Sequence, residues 1–331
     1  MHRLAPTRRA VLGGALAAPF MLGGATSAAR AQSWPTRPIR LIVPFGAGTS
    51  TDIVARLLVP RMSQTLGQPL VVENRAGAGG VVGSDAVAKS PPDGYNLCLG
   101  SIASHSVNVS LMPQMPYDVL RDFTPISLVT EAPNLLVVSA SVPVTTLPEF
   151  FEWAKQQRNG VSYASAGNGT SSHLAGELLK MKTGAPLVHV PYKSGAQAVT
   201  DVISGTVPMT VYQVTAVLPF VRDGKLKALA TTSAKRLEIA PEVPTAVEQG
   251  VADFDVAAWH GLFAPAGLPE PVRDRIYNAL REALFAPELK EQLRNQGLIP
   301  VASAPDAFRP WLAEDIAKWR EVVRVSGATA D

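Results

Sequence analysis

Cysteine is nearly missing from this chain: Cys98 is the only one in 331 residues, so no disulfide can close within it. Its setting, Asn96-Leu97-Cys98-Leu99, is that of a small buried hydrophobe rather than a reactive thiol. Histidine is sparse and unpaired in spacing. His105, His173, His189 and His260 form neither H-x3-H nor H-E-x-x-H, which excludes the common zinc patterns, and no metal or other cofactor is expected. No basic stripe with interleaved aromatics appears, which argues against nucleic acid. No apolar run reaches the roughly 18 residues that a membrane span needs.

What is present begins with a leader. Thr7-Arg8-Arg9-Ala10-Val11-Leu12 precedes an apolar Gly/Ala/Leu run through Leu22 and the small-residue ending Ala29-Arg30-Ala31. That is the pattern of a twin-arginine export signal spanning residues 1–31, and it implies a periplasmic mature chain without a lipid-attachment cysteine. Removing Arg3, Arg8, Arg9 and Arg30 leaves 26 of the 30 basic residues against 27 acidic ones, so the formal +3 becomes −1. The apparent basicity belongs to the leader. The remainder, drawn from a chain 47% hydrophobic and 17% charged, suits one or two compact domains.

The informative stretch is Gly48-Thr49-Ser50-Thr51-Asp52. The apolar Leu41-Ile42-Val43-Pro44-Phe45 leads into it, and the helical Ile53-Val54-Ala55-Arg56-Leu57-Leu58 leads out. A matching phrase follows about 120 residues later, where Ser165-Ala166-Gly167-Asn168 runs into Gly169-Thr170-Ser171-Ser172-His173. Each reads as strand, glycine-bearing loop and helix start. The first amides of a helix lack intrahelical partners and carry partial positive charge, so such loops can hold an anion without arginine. The hydroxyls of Thr49, Ser50, Thr51, Thr170, Ser171 and Ser172 can cap the helix or reach a carboxylate, and both roles stay open. So do both roles of Asp52: a cap that favours the helix dipole, or a contact to a ligand ammonium. The expectation is that the two loops face one another across a cleft and hold a small anion.

Apolar strand-like and helical runs alternate from Ile39 to Gly100 and again from Leu135 to Thr232, which predicts βαβ units and two mainly parallel sheets flanked by helices. Two lobes are expected: 32–130 with 232–331 as one and 131–231 as the other, with hinge crossings near 130 and 232. Two crossings make a hinge, which is the geometry of closure around a ligand. Strand-like Phe123–Val129 and Leu135–Ser139 read as separate pieces, and Val256–Trp259 as a short strand. Gly77-Ala78-Gly79-Gly80-Val81-Val82 has Val82 where the dinucleotide fingerprint requires glycine, and no P-loop lysine follows any glycine. A hydrolase built on Ser171, His173, Asp52 and His260 lacks a G-x-S-x-G elbow. Tyr192, after Val190-Pro191, is placed as a wall of the cleft.

These residues together resemble the Bug family of periplasmic solute receptors, the TctC-like binding components of tripartite tricarboxylate transporters. The matching stretches are Trp34-Pro35-Thr36-Arg37-Pro38-Ile39, Val43-Pro44-Phe45-Gly46-Ala47-Gly48, Glu73-Asn74-Arg75-Ala76-Gly77-Ala78-Gly79-Gly80, Tyr163-Ala164-Ser165-Ala166-Gly167 and His173-Leu174-Ala175-Gly176-Glu177, with Val190-Pro191-Tyr192-Lys193, Val243-Pro244-Thr245 and Ala264-Pro265-Ala266-Gly267. The resemblance implies a Venus-flytrap fold without catalytic activity. It also implies that Phe45, Gly46, Ala47, Gly48, Thr49, Ser50, Thr51 and Asp52, with Ser165, Ala166, Gly167, Asn168, Gly169, Thr170 and Ser171, line a carboxylate site. The implied partners are membrane permease subunits. A sensor that presents the closed form to a signalling protein would share the same site. Thr49 stands where the family commonly has a second glycine, and Tyr212 where it frequently has an acid, which favours a neutral-bodied or aromatic carboxylate over an amino acid. Lack of a long exposed apolar helix makes a monomer the expectation.

Overall fold

Strand β1 (Ile39–Val43) buries every residue but Arg40, as a strand covered on both faces must. The computed structural model describes residues 34–112, 114–192 and 194–329. The expected leader, residues 1–31, lies outside them. From β1 the chain enters α1 (Ser50–Leu66), then β2 (Leu70–Asn74), α2 (Val81–Ala88) and β3 (Asn96–Ser101). Strand β1 pairs in parallel with β2 on one side and β3 on the other. Helix α1 buries Val54, Ala55, Leu58, Met62 and Leu66 and ends on the left-handed Gly67 (φ 73°).

After β3 come a π turn at Ala103–Val107, α3 (Asn108–Leu111) and α4 (Val119–Asp122). Strand β4 then runs 17 residues, Phe123–Ser139. The two strand pieces expected from sequence are one strand. Pro125 falls at a register shift against β9, and beyond Pro133 the strand exchanges partners, so neither proline ends it.

The second series is α5 (Leu147–Lys155), β5 (Val161–Ser165), α6 (Ser171–Thr183), β6 (Leu187–Pro191), α7 (Gly195–Ile203), β7 (Met209–Gln213), α8 (Val214–Arg222) and β8 (Leu226–Thr231). Strand β5 pairs in parallel with β6 and β7, repeating the β2-β1-β3 arrangement. Helix α6, like α1, stops on a left-handed glycine, Gly184 (φ 67°).

The chain returns through β9 (Ala257–Pro265), α9 (Glu270–Leu284), α10 (Pro287–Asn295), β10 (Ile299–Pro300) and α11 (Pro305–Ser326). Strand β9 is longer than the expected Val256–Trp259 and central: it lies antiparallel between β3 and β4. The sheet path is therefore β2-β1-β3-β9-β4-β7-β5-β6, with β8 and β10 also on β4. Among the named strands, parallel pairing is confined to the two triplets, and the strands joining them run antiparallel. The segment before β9 packs on the second series, since Thr231 bridges Thr245 and Gln249 Nε2 donates to Leu229 O at 2.7 Å. Helix α11 is fastened by Asp315, which accepts from the indoles of Trp259 and Trp319, each at 3.0 Å.

Candidate ligand-binding site

At the carboxyl ends of β1 and β5 the two glycine-bearing loops have the same internal geometry. Thr49 caps α1 with φ −72° and ψ 161°, and Thr170 caps α6 with φ −72° and ψ 158°. Thr49 Oγ1 donates to Gly46 O at 2.8 Å, and Thr170 Oγ1 donates to Gly167 O at 2.7 Å. The preceding glycines are both left-handed, Gly48 at φ 81° and Gly169 at φ 72°. Their amides donate four residues ahead: Gly48 N to Asp52 Oδ2 at 2.9 Å and Gly169 N to His173 Nδ1 at 3.0 Å. The repeat read in sequence is thus a repeat in hydrogen bonding.

This geometry assigns the hydroxyls of Thr49 and Thr170 to capping. Ser172 Oγ accepts from Ala166 N at 3.1 Å, and Ser50 Oγ lies 3.2 Å from His260 Nε2. The amides of Ser50 and Thr51, like those of Ser171 and Ser172, have no acceptor within their own helices and aim the helix dipole at the loop mouth. Gly46, Ala47, Gly48, Thr49 and Ser50 are exposed, whereas Ser165 is buried and most of the second loop half-buried.

Asp52 is a fastener of the first loop. Besides Gly48 N it accepts from Arg56 Nε and Asn74 Nδ2, both at 2.9 Å, and it is buried. The Arg56 hydrogen bond, aided by Gly48 and Asn74, overrides burial and holds its carboxyl down at about 2. His260 is buried and neutral, its pKa lowered to about 4 by desolvation, and it joins Ser50 to Thr130 of β4 at 2.9 Å.

The remaining expected residues fall into different surroundings. Phe45 covers Gly80, where an added Cβ would lie 2.8 Å from the Phe45 ring. Asn108 Nδ2 donates to Gly79 O at 3.0 Å, and Leu111, one turn further on α3, presses on Gly169. A chain of contacts thus joins the Gly77–Gly80 turn to both loops. Tyr192 donates its hydroxyl to Asp201 at 2.7 Å, and its amide donates to Ser165 O, so it braces the second loop by its backbone. Tyr212 is half-buried with its hydroxyl against Gly195 at the start of α7.

A cavity of about 230 Å³ opens beside the first loop, lined by Gly48, Ser50, Pro133, Gln213, Thr215 and Gln296 among others. Sequence reasoning missed Gln213, Thr215 and Gln296. The first two stand at the carboxyl end of β7, the edge where open α/β sheets bind ligands, and that rule could have found them. Nothing local marks Gln296, which arrives from the turn after α10.

The arrangement does not suit the hydrolase alternative. His173 Nδ1 accepts from Gly169, so its proton sits on Nε2 and no ring nitrogen is left to take one from Ser171. Among the described residues no three His, Cys, Asp or Glu side chains converge as a metal site.

Residues 54–327 match the tripartite tricarboxylate transporter family receptor, TctC. Protein BugT of Bordetella pertussis is 39% identical over 306 residues, covering 92% of this chain and 94% of that protein. Rpa4515 of R. palustris with adipate superposes with a TM-score of 0.73 at 34% identity, covering 89% of this chain and 99% of that one. MatC from Rhodopseudomonas palustris with bound malate gives 0.69 at 35%, covering 88% and 100%. The chain has the α/β periplasmic-binding-protein fold, with helices flanking a curled mixed sheet. The chain belongs to the TctC family, whose members are solute-binding receptors rather than enzymes.

Proposed function

We propose that this protein captures a small carboxylate between the loops at residues 45–52 and 165–171, closes over it, and delivers it to the membrane subunits of a tripartite transporter. One observation carries the reading: two loops at the ends of β1 and β5 share a turn that uses its threonine hydroxyls internally and leaves helix-start amides for an anion. Adipate and malate in the two similar structures support the ligand class. Export through the twin-arginine leader completes the proposal.

Closure is assigned to a hinge where β4 changes partners. In place of the expected 131–231, the second lobe is taken as 131–256, and the first as residues up to 130 with those from 257 onward, because Thr245 and Gln249 bond to β8. The first passage lies at Pro133-Asn134. The return lies at Val256, whose amide donates to Thr232 O at 2.9 Å, while Thr232 N donates to Asn134 O at 3.0 Å. Ligand binding drives closure only by its differential affinity for the two states.

Thermal-shift screening of the mature chain against adipate, malate, succinate, benzoate and aspartate tests the proposal. A ligand at 100 times its Kd adds about 2.7 kcal/mol. The expected result is a clear stabilisation by at least one plain carboxylate, recovered unchanged, and a weaker response to aspartate. Stabilisation by none of these acids would remove the carboxylate assignment.

A further inference from the structure

Beneath the second loop lies a stacked pair of imidazoles, where the first loop is fastened instead by Asp52 with Arg56 and Asn74. The His173 and His189 rings stack at 3.8 Å with 12° between their planes. His173 Nδ1 accepts from Gly169 N, and His189 Nε2 lies 2.6 Å from Ser165 Oγ, which accepts from Gly167 N at 3.1 Å. One loop amide, Gly169 N, therefore depends directly on an imidazole, and the other, Gly167 N, on a serine that touches the second ring. At the position of His173 the first loop has Asp52, an acceptor that stays charged far into acid.

We propose that His173 and His189 are positioning residues that hold the second loop only while both rings are neutral, so that mild acid loosens this loop and leaves the first in place. A proton on His173 Nδ1 turns the acceptor of Gly169 N–H into a donor pointing at a donor. Ser165 Oγ can accept from a protonated His189 and from Gly167 N together while donating its own hydrogen to Gly167 O at 3.2 Å, so the cost of a second proton falls on the stack, where two charged rings at 3.8 Å repel strongly. Among the described residues, the titratable groups around the pair are Tyr163 on β5 and Glu177 and Lys180 on α6. Tyr163 donates to Glu177 at 2.8 Å, and Lys180 lies 3.7 Å from the same carboxylate. The segment Ser326–Thr329 that also lines this pocket carries no ionisable side chain. Burial first, and then the neighbouring His173, lowers the His189 pKa to about 4, while Glu177 opposes them weakly. In the loosened loop the imidazole regains its ordinary value of about 6.5, so opening is favoured as pH falls through the interval between these values. The consequence for ligand capture rests on the second loop being half of the proposed site.

The experiment is NMR on the ¹⁵N-labelled mature chain without ligand, from pH 7.5 to 5. The Gly167 and Gly169 amides should shift together, and Gly169 exchange, normalised to Gly48, should rise on the order of tenfold per pH unit below about 6.5. In His173→Asn the Oδ1 replaces Nδ1 as acceptor, and in His189→Gln the Oε1 replaces Nε2. The double variant should keep both amides in place at pH 7 and flatten the response. Gly169 shifts and exchange that track Gly48 in the wild type would overturn the proposal, as would a response unchanged in the double variant. A normal amide response combined with adipate and malate binding that ignores pH would support the loosening and count against the loop as a ligand site.

Discussion

Asp52 and His173 occupy equivalent places, a carboxylate in one loop and an imidazole in the other, each accepting from the glycine amide four residues before it. The carboxyl of Asp52 is held at about 2 against an unfolded value of 3.8, so its stabilisation is complete above about pH 4 and lost as pH falls through 2. Because the partner Arg56 is half-exposed, the contribution is on the order of 1 kcal/mol rather than the full shift. Asp52→Asn should lower stability by about 1–2 kcal/mol at pH 7 and flatten the denaturation midpoint between pH 4 and 2, measured by urea melts. His189 has the opposite chemistry and its own window: neutral when folded, it withdraws stability as pH falls from about 6.5 to 4. At this scale the sequence was readable where chemistry is local. Thr49 and Thr170 sit three residues before the amides they cap, and glycine before a hydroxyl marks a loop that ends in a helix. The pairing of Ser50 with His260, 210 residues away, has no local signal.

Helix and strand periodicity recovered the two triplets because each of their strands is bounded by its own turn. Strand β4 was divided in reading because Glu131-Ala132-Pro133 interrupts an apolar pattern, whereas the fold places that interruption where the strand exchanges β9 for β7 and β8. The four-residue α3 was invisible to periodicity, yet it bears on the second loop. A Cβ on Gly169 would meet Leu111 Cδ1 at 2.5 Å, and its φ of 72° is left-handed. Gly169→Ala should cost about 1–3 kcal/mol and weaken carboxylate binding, and Leu111→Ala in the same chain should restore part of the binding by removing the clash. A calorimetric double-mutant cycle reads that coupling. Helix α11 offers a second test. Asp315→Leu strands the Trp259 and Trp319 indole N–H groups in the core and should destabilise by about 2–5 kcal/mol in urea melts. Asp315→Asn, which offers one carbonyl oxygen, should cost less.

Across the whole molecule the same βαβαβ unit appears twice, β2-β1-β3 and β6-β5-β7, with each glycine-bearing loop at the carboxyl end of its middle strand. If the units close on a ligand as proposed, adding adipate or malate should reduce the radius of gyration in small-angle scattering, and a Pro133→Gly chain should show a broader distribution without ligand. Strand β9 has a further consequence, for the order in which the molecule assembles. It fills the gap between β3 and β4, yet it is made after everything in the second unit. Residues 131–256 are contiguous and carry their own sheet, so they can condense as soon as they are complete. The first unit must keep its middle gap open until residue 265 arrives, a long-range closure that slows folding. In pulsed hydrogen-exchange refolding, amides of β5 and β7 should gain protection before those of β3 and β9, making the amino-terminal unit the last to finish.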